Sequence, residues 1–135
     1  MKITELPEDI VDKLRNFARS QMELVSDYEE KDQLETAYLA RWAVLEKIVK
    51  TVAKEWDNSW EANSLPRKKD FIAALDHFGL DGAGVWGVMD SQGKARGFRN
   101  QIAHTGRKFT RRVQYIKLGK QLDQMTTKLL RMASQ

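Results

Sequence analysis

Arg99, Asn100 and His104 stand within the run Arg-Asn-Gln-Ile-Ala-His, which Thr105 and Gly106 follow. An imidazole takes or gives a proton near neutral pH, which makes His104 a candidate general base or acid. Arg99 carries a permanent, planar charge that can hold two phosphate oxygens and stabilise charge developing on them. Asn100, one helical turn before His104, can hydrogen-bond the imidazole or the phosphate and so orient without reacting. Together these residue types suit cleavage of a phosphodiester in which the 2′-hydroxyl of RNA is the internal nucleophile.

The surroundings fit a polyanion. From Ser91 to Leu122 the chain carries nine Lys or Arg residues and no Asp or Glu, while the rest sums to −5. A one-sign field of this kind is the electrostatic footprint of a nucleic acid, although a solvated basic face would read the same on charge alone. Lys94, Arg96, Arg107, Lys108, Arg111 and Arg112 are the expected RNA contacts. With no cysteine, disulfides, zinc ribbons, iron–sulfur clusters and thiol nucleophiles are excluded. No set of carboxylates or histidines has metal-ligand spacing, and no cofactor is expected. His77 is read as a helix-end or core-edge residue.

The elements that must position these groups are helices. The 135 residues suit one domain, 1–135, and 41% hydrophobic with 31% charged residues suits packed amphipathic helices. No apolar run nears the roughly 20 residues needed to span a bilayer, and the N-terminus lacks a secretory layout, so a cytoplasmic protein with no membrane partner is expected. Pro7 can open a first helix with a stripe of Ile10, Leu14, Phe17, Gln21, Leu24 and Tyr28. Leu34, Tyr38, Trp42, Leu45, Val49, Val52 and Trp56 repeat the period in a second helix, antiparallel to the first across a short acidic turn. Ser64 and Pro66 offer a third start leading to Phe71, Ile72, Leu75 and Phe78, and Gly79 ends that helix with Leu80 folding back. Asp81 to Gly84 cap a fourth, carrying Val85, Trp86, Val88, Met89, Phe98 and Ile102, which glycines weaken and which is bent or interrupted near Ser91 to Lys94. A last helix from about Lys108 presents Leu118, Leu122, Met125, Leu129 and Met132. The expectation is an all-α, single-domain bundle of about five helices: an antiparallel hairpin, a motif helix and a long C-terminal helix.

An arginine, a polar residue, three further positions and a histidine, near the C-terminus of a helix in a small helical chain, resemble the signature of the HEPN superfamily. The Asn after the Arg and the Ala before the His are shared by many members, and Glu46 with Lys50 is similar to an additional Glu and Lys signature of some HEPN nucleases, although as an i, i+4 pair they read first as surface support. The resemblance implies a metal-independent endoribonuclease of toxin or defence type, leaving a 2′,3′-cyclic phosphate and held in check by an antitoxin protein. In toxins silenced by nucleotidylation a tyrosine stands two residues after the histidine; here that place is Gly106, which counts against this control. On a regular helix positions 99 and 104 lie roughly 140° apart, whereas 100 and 104 share a face. Two motif helices meeting across a two-fold axis would bring both pairs into one cleft, as in HEPN dimers, so a homodimer is expected. A catalytically silent module that binds RNA or a protein through the same surface is the alternative, and a helical adaptor dimerising through the motif helix, without nucleic acid, is a third reading. Arg99 could also simply pair with Glu46 or Glu55.

Overall fold

The computed structural model describes residues 4–59, 65–90 and 94–134, without the side chain of Lys94. The chain is all-α: within these residues it forms six helices, α1 (Glu8–Glu30), α2 (Leu34–Trp56), α3 (Lys68–His77), α4 (Gly82–Met89), α5 (Lys94–Thr105) and α6 (Arg112–Ala133), and no strand. None of the six is long and apolar enough to cross a membrane.

α2 is the axis of the bundle. Leu34, Tyr38, Trp42, Leu45, Val49 and Val52 are all buried, as their spacing requires, and Ala37, Val44, Ile48 and Ala53 widen the stripe until the helix is apolar on most sides. A helix buried on more than one side needs more than one neighbour, and α1, α3, α5 and α6 all pack on it. α1 runs antiparallel to it: Glu29 meets Arg41 at one end of the hairpin, and Lys47 lies over the Phe17 ring further along. The stripe on α1 is rotated from expectation: Val11, Ala18 and Val25 are buried beside Leu14, while Ile10, Phe17, Gln21 and Tyr28 are half-buried. Leu24 is 41% exposed, and Val25, at 1%, takes the inward position, because the face that α1 turns to α2 is centred on Val11, Leu14, Ala18 and Val25, one position on from Ile10, Phe17 and Leu24.

α3 ends as its sequence indicates. The N–H of Gly79 donates to the Asp76 carbonyl and that of Leu80 to the Leu75 carbonyl, both at 2.9 Å, which brings the buried Leu80 back onto the buried Leu75. α4 opens on Asp81, whose side chain accepts from the Gly84 N–H at 3.3 Å and also from Lys128 of α6 at 2.9 Å. The expected fourth helix is two helices. At Asp90 the backbone leaves the helical region (φ −62°, ψ 146°), so Val85 and Met89 are buried on α4 and Phe98 and Ile102 on α5. Ser91 to Gly93, where a break was expected, lie outside the described residues, as does Ser64. α6 starts at Arg112 and not near Lys108, because the residues between are pinned in a non-helical loop by Phe109.

α3 and α4 approach so closely that a Cβ on Gly82 would lie 2.5 Å from the Ile72 carbonyl oxygen and 2.7 Å from its Cα. Backbone atoms cannot step aside as a side-chain tip can. Gly82→Ala should therefore destabilise the protein by about 2 kcal/mol, read as a lowered thermal midpoint, whereas Gly87→Ala, where a Cβ meets nothing within 4 Å, should not destabilise it.

Candidate active site and basic loop

α5 turns Ala95, Phe98 and Ile102 inward, and Tyr38 of α2 ties the helix down by donating its hydroxyl to the Ala95 carbonyl at 2.6 Å in a buried bond. This orientation decides where the motif goes. Arg99 follows Phe98 and is half-buried on the flank of the helix, Asn100 is half-buried, and His104 is exposed in the last turn. The helix is unbroken across the motif, so the 140° divergence between positions 99 and 104 stands. The Arg99 side chain nevertheless bends along the surface: Nη1 donates to the Asn100 Oδ1 at 3.0 Å. Asn100 lies between the two in angle, about 40° from His104, so the guanidinium leans toward the histidine's side of the helix. Arg99 and Asn100 are thus in contact, and His104 shares a face with Asn100.

Arg99 is poorly satisfied for a structural arginine. Its Nε is shielded from solvent and has no hydrogen-bond partner. A donor left in that state costs free energy, about 1–3 kcal/mol for a typical group. Glu46 of α2 is near enough to feel the charge but spends its carboxylate elsewhere: one oxygen accepts from the Trp42 indole and the other from Lys50, both at 2.8 Å. Burial alone would raise the Glu46 carboxyl; the bonds from Lys50 and Trp42, with the charges of Lys50 and Arg99, outweigh it and hold the group below the usual carboxylate range. The direct pairing of Arg99 with Glu46 or Glu55 is therefore replaced by an attraction at longer range to Glu46.

Beyond the motif, Gly106 takes a left-handed conformation (φ 66°) and ends α5, its N–H donating to the Ile102 carbonyl. The chain then turns back, and Phe109 anchors it. The Phe109 ring stacks on Phe98 (4.7 Å, planes 5° apart) and meets Tyr38 and Tyr115 edge-on at 5.5 and 5.3 Å. Its N–H donates to Glu35 Oε2 at 3.0 Å. Phe109 is a site-building residue that the sequence reading passed over, and its signal was a lone aromatic inside Arg-Lys-Phe-Thr-Arg-Arg. Either side of it, Arg107, Lys108, Arg111 and Arg112 are exposed. Arg112 reaches across to Asp32 in the α1–α2 turn at 3.2 Å, an exposed pair of little energetic weight. Arg96 is half-buried on α5, and the side chain of Lys94 lies outside the described residues. Arg107 and Lys108 thus follow His104 across one turn, while Arg111 and Arg112 lead into α6.

Among the described residues, no three His, Asp or Glu side chains are grouped as a metal site requires. No protein-family model matches the chain, and no curated protein or solved structure matches it either.

Because the Glu46 carboxyl is depressed in the folded state, its pairing stabilises the protein above the ordinary carboxylate range, and that contribution is lost as pH falls through the folded value. Glu46→Gln should cost about 1 kcal/mol at pH 7. In thermal melts the gap from the wild type should close toward pH 3.

Proposed function

We propose that this chain is a metal-independent endoribonuclease that uses the RNA 2′-hydroxyl as nucleophile, with Arg99, Asn100 and His104 as its site. The observation that carries the reading is the state of Arg99: a half-buried guanidinium with an unpartnered Nε, leaning toward the face that bears an exposed histidine, beside a basic loop. The shielded Nε is out of a phosphate's reach, but it marks a guanidinium not committed to a carboxylate, whose terminal Nη groups would take the phosphate oxygens.

In the reaction, the 2′-oxygen attacks the adjacent phosphorus, the O2′–P bond forms and the P–O5′ bond breaks. The 2′-proton goes to a base and the 5′-oxygen takes a proton as it leaves, giving a 2′,3′-cyclic phosphate and a 5′-hydroxyl. His104 serves one of these proton transfers. In a two-fold dimer the second imidazole, from the other copy, serves the other. Arg99 neutralises charge on the non-bridging oxygens, and Asn100 keeps the guanidinium turned toward the histidine. Arg96, Lys108, Arg111 and Arg112 supply phosphate contacts along the strand. The resemblance to HEPN nucleases supports this reading, and with it a cytoplasmic toxin or defence role restrained by an antitoxin protein. The divergence of Arg99 and His104 around a single α5 favours one rival, a catalytically silent HEPN-like module that binds RNA or a protein through the same surface.

Incubation with total RNA in EDTA separates the two. The enzyme reading expects cleavage to 2′,3′-cyclic phosphate ends, lowered at least about a hundredfold by Arg99→Ala or His104→Ala. Cutting that survives both substitutions, or salt-dependent binding with no cutting, sinks it.

A further inference from the structure

Arg107 is held differently from the other cations of the basic segment. Its Cζ lies 4.1 Å from the centroid of Phe98, above the ring, and its Nη1 donates to the side-chain oxygen of Gln101. Phe98, only 6% exposed, is thus covered by Phe109 and Arg107. A third tie comes from the backbone, where the Arg107 N–H donates to the Gln101 carbonyl at 3.3 Å. These contacts fix the guanidinium in place. A guanidinium is planar, and with one face laid on an aromatic ring its other face remains, on a residue that is exposed.

Gln101 fixes where that open face sits. On α5 Gln101 lies about 60° from His104 and Phe98 about 120° from it on the same side, so the tethered guanidinium flanks the histidine on the side away from Asn100. Unpaired RNA bases are recognised by stacking on aromatic rings or on arginine planes, whereas bases inside a duplex have no face to offer.

We propose that Arg107 is a nucleobase-stacking site, taking the face of an unpaired base of single-stranded RNA next to the phosphate that His104 serves. This rests on the RNA-binding part of the proposed function and not on cleavage. It also reassigns Arg107, expected from the sequence as a phosphate contact, to reading a base. Purines, with the larger face, are preferred at that one position, and the flanking Lys108 and Arg111 hold the strand on either side.

Fluorescence anisotropy with a 2′-O-methyl RNA of about ten nucleotides, which cannot be cleaved, tests the proposal by combining protein substitutions with single abasic positions. In the wild type, removing the base at one position should weaken binding about tenfold or more, and in Arg107→Ala that penalty should vanish. Arg107→Lys, which keeps the charge but not the plane, should behave like Arg107→Ala. Gln101→Ala, an exposed change that leaves the fold alone, should shrink the penalty. Lys108→Ala should weaken every oligonucleotide alike, lower the salt dependence and leave the penalty intact. If the oligonucleotide binds but no position shows a penalty, or the penalty persists in Arg107→Ala, the stacking site is overturned while RNA binding stands. If the wild type binds no oligonucleotide, the RNA reading and the stacking site fall together.

Discussion

Five positions of unbroken helix separate Arg99 from His104, and the angle this sets between them governs what the site can be. The inward face of α5 is taken by Ala95, Phe98 and Ile102, so one motif residue is drawn onto the flank against α2 and the other is turned outward. Asn100 partly bridges the gap by holding the arginine's tip. One copy of the chain therefore presents an arc of groups and not a closed cleft. A second copy related by a two-fold axis would complete the cleft without either helix unwinding.

That arc keeps its place because α5, the loop after it and α6 meet on one aromatic cluster. Tyr38, Phe98, Phe109 and Tyr115 come from α2, α5, the basic loop and α6, and each touches at least one of the others. A loop of like charges left alone would repel itself into an extended, mobile chain; the half-buried Phe109 ring and a carboxylate from Glu35 hold it instead. Tyr115 belongs to a second network as well. Its hydroxyl donates to Glu29 at 2.8 Å and accepts from Arg41, whose Nε reaches both oxygens of Asp123 at 3.1 Å. Burial keeps the Asp123 carboxyl above its ordinary range despite the Arg41 charge, and the network ties α1, α2 and α6 together through residues outside the motif.

What the sequence made legible is what local periodicity and turn chemistry control. The stripe of α2, the glycine stop after α3 and the placing of Arg99, Asn100 and His104 at the end of one helix all depend on neighbours within a few residues. The inward choice of Val25 over Leu24 depends on which face α2 presents, and the late start of α6 on a ring that travels to Tyr38, 71 positions away in the chain. Arg107 shows the same limit. By composition it is one more cation, and only the tertiary meeting of Phe98, Phe109 and Gln101 turns it into a fixed plane. Charge counting finds such a segment but does not tell which of its residues are fixed against rings and which are free in solvent.

The two-copy site is tested most directly by complementation. Arg99→Ala and His104→Ala proteins, each inactive alone, are unfolded, mixed and refolded together, and RNA cleavage is measured. Mixed dimers hold one intact arginine and one intact histidine on opposite copies, so one proton transfer is served and the other is left to water; cutting should return in part, above that of either protein alone and below that of the wild type. A mixture as inactive as its components, while the wild type cleaves RNA as a strict monomer in sedimentation, would contradict it.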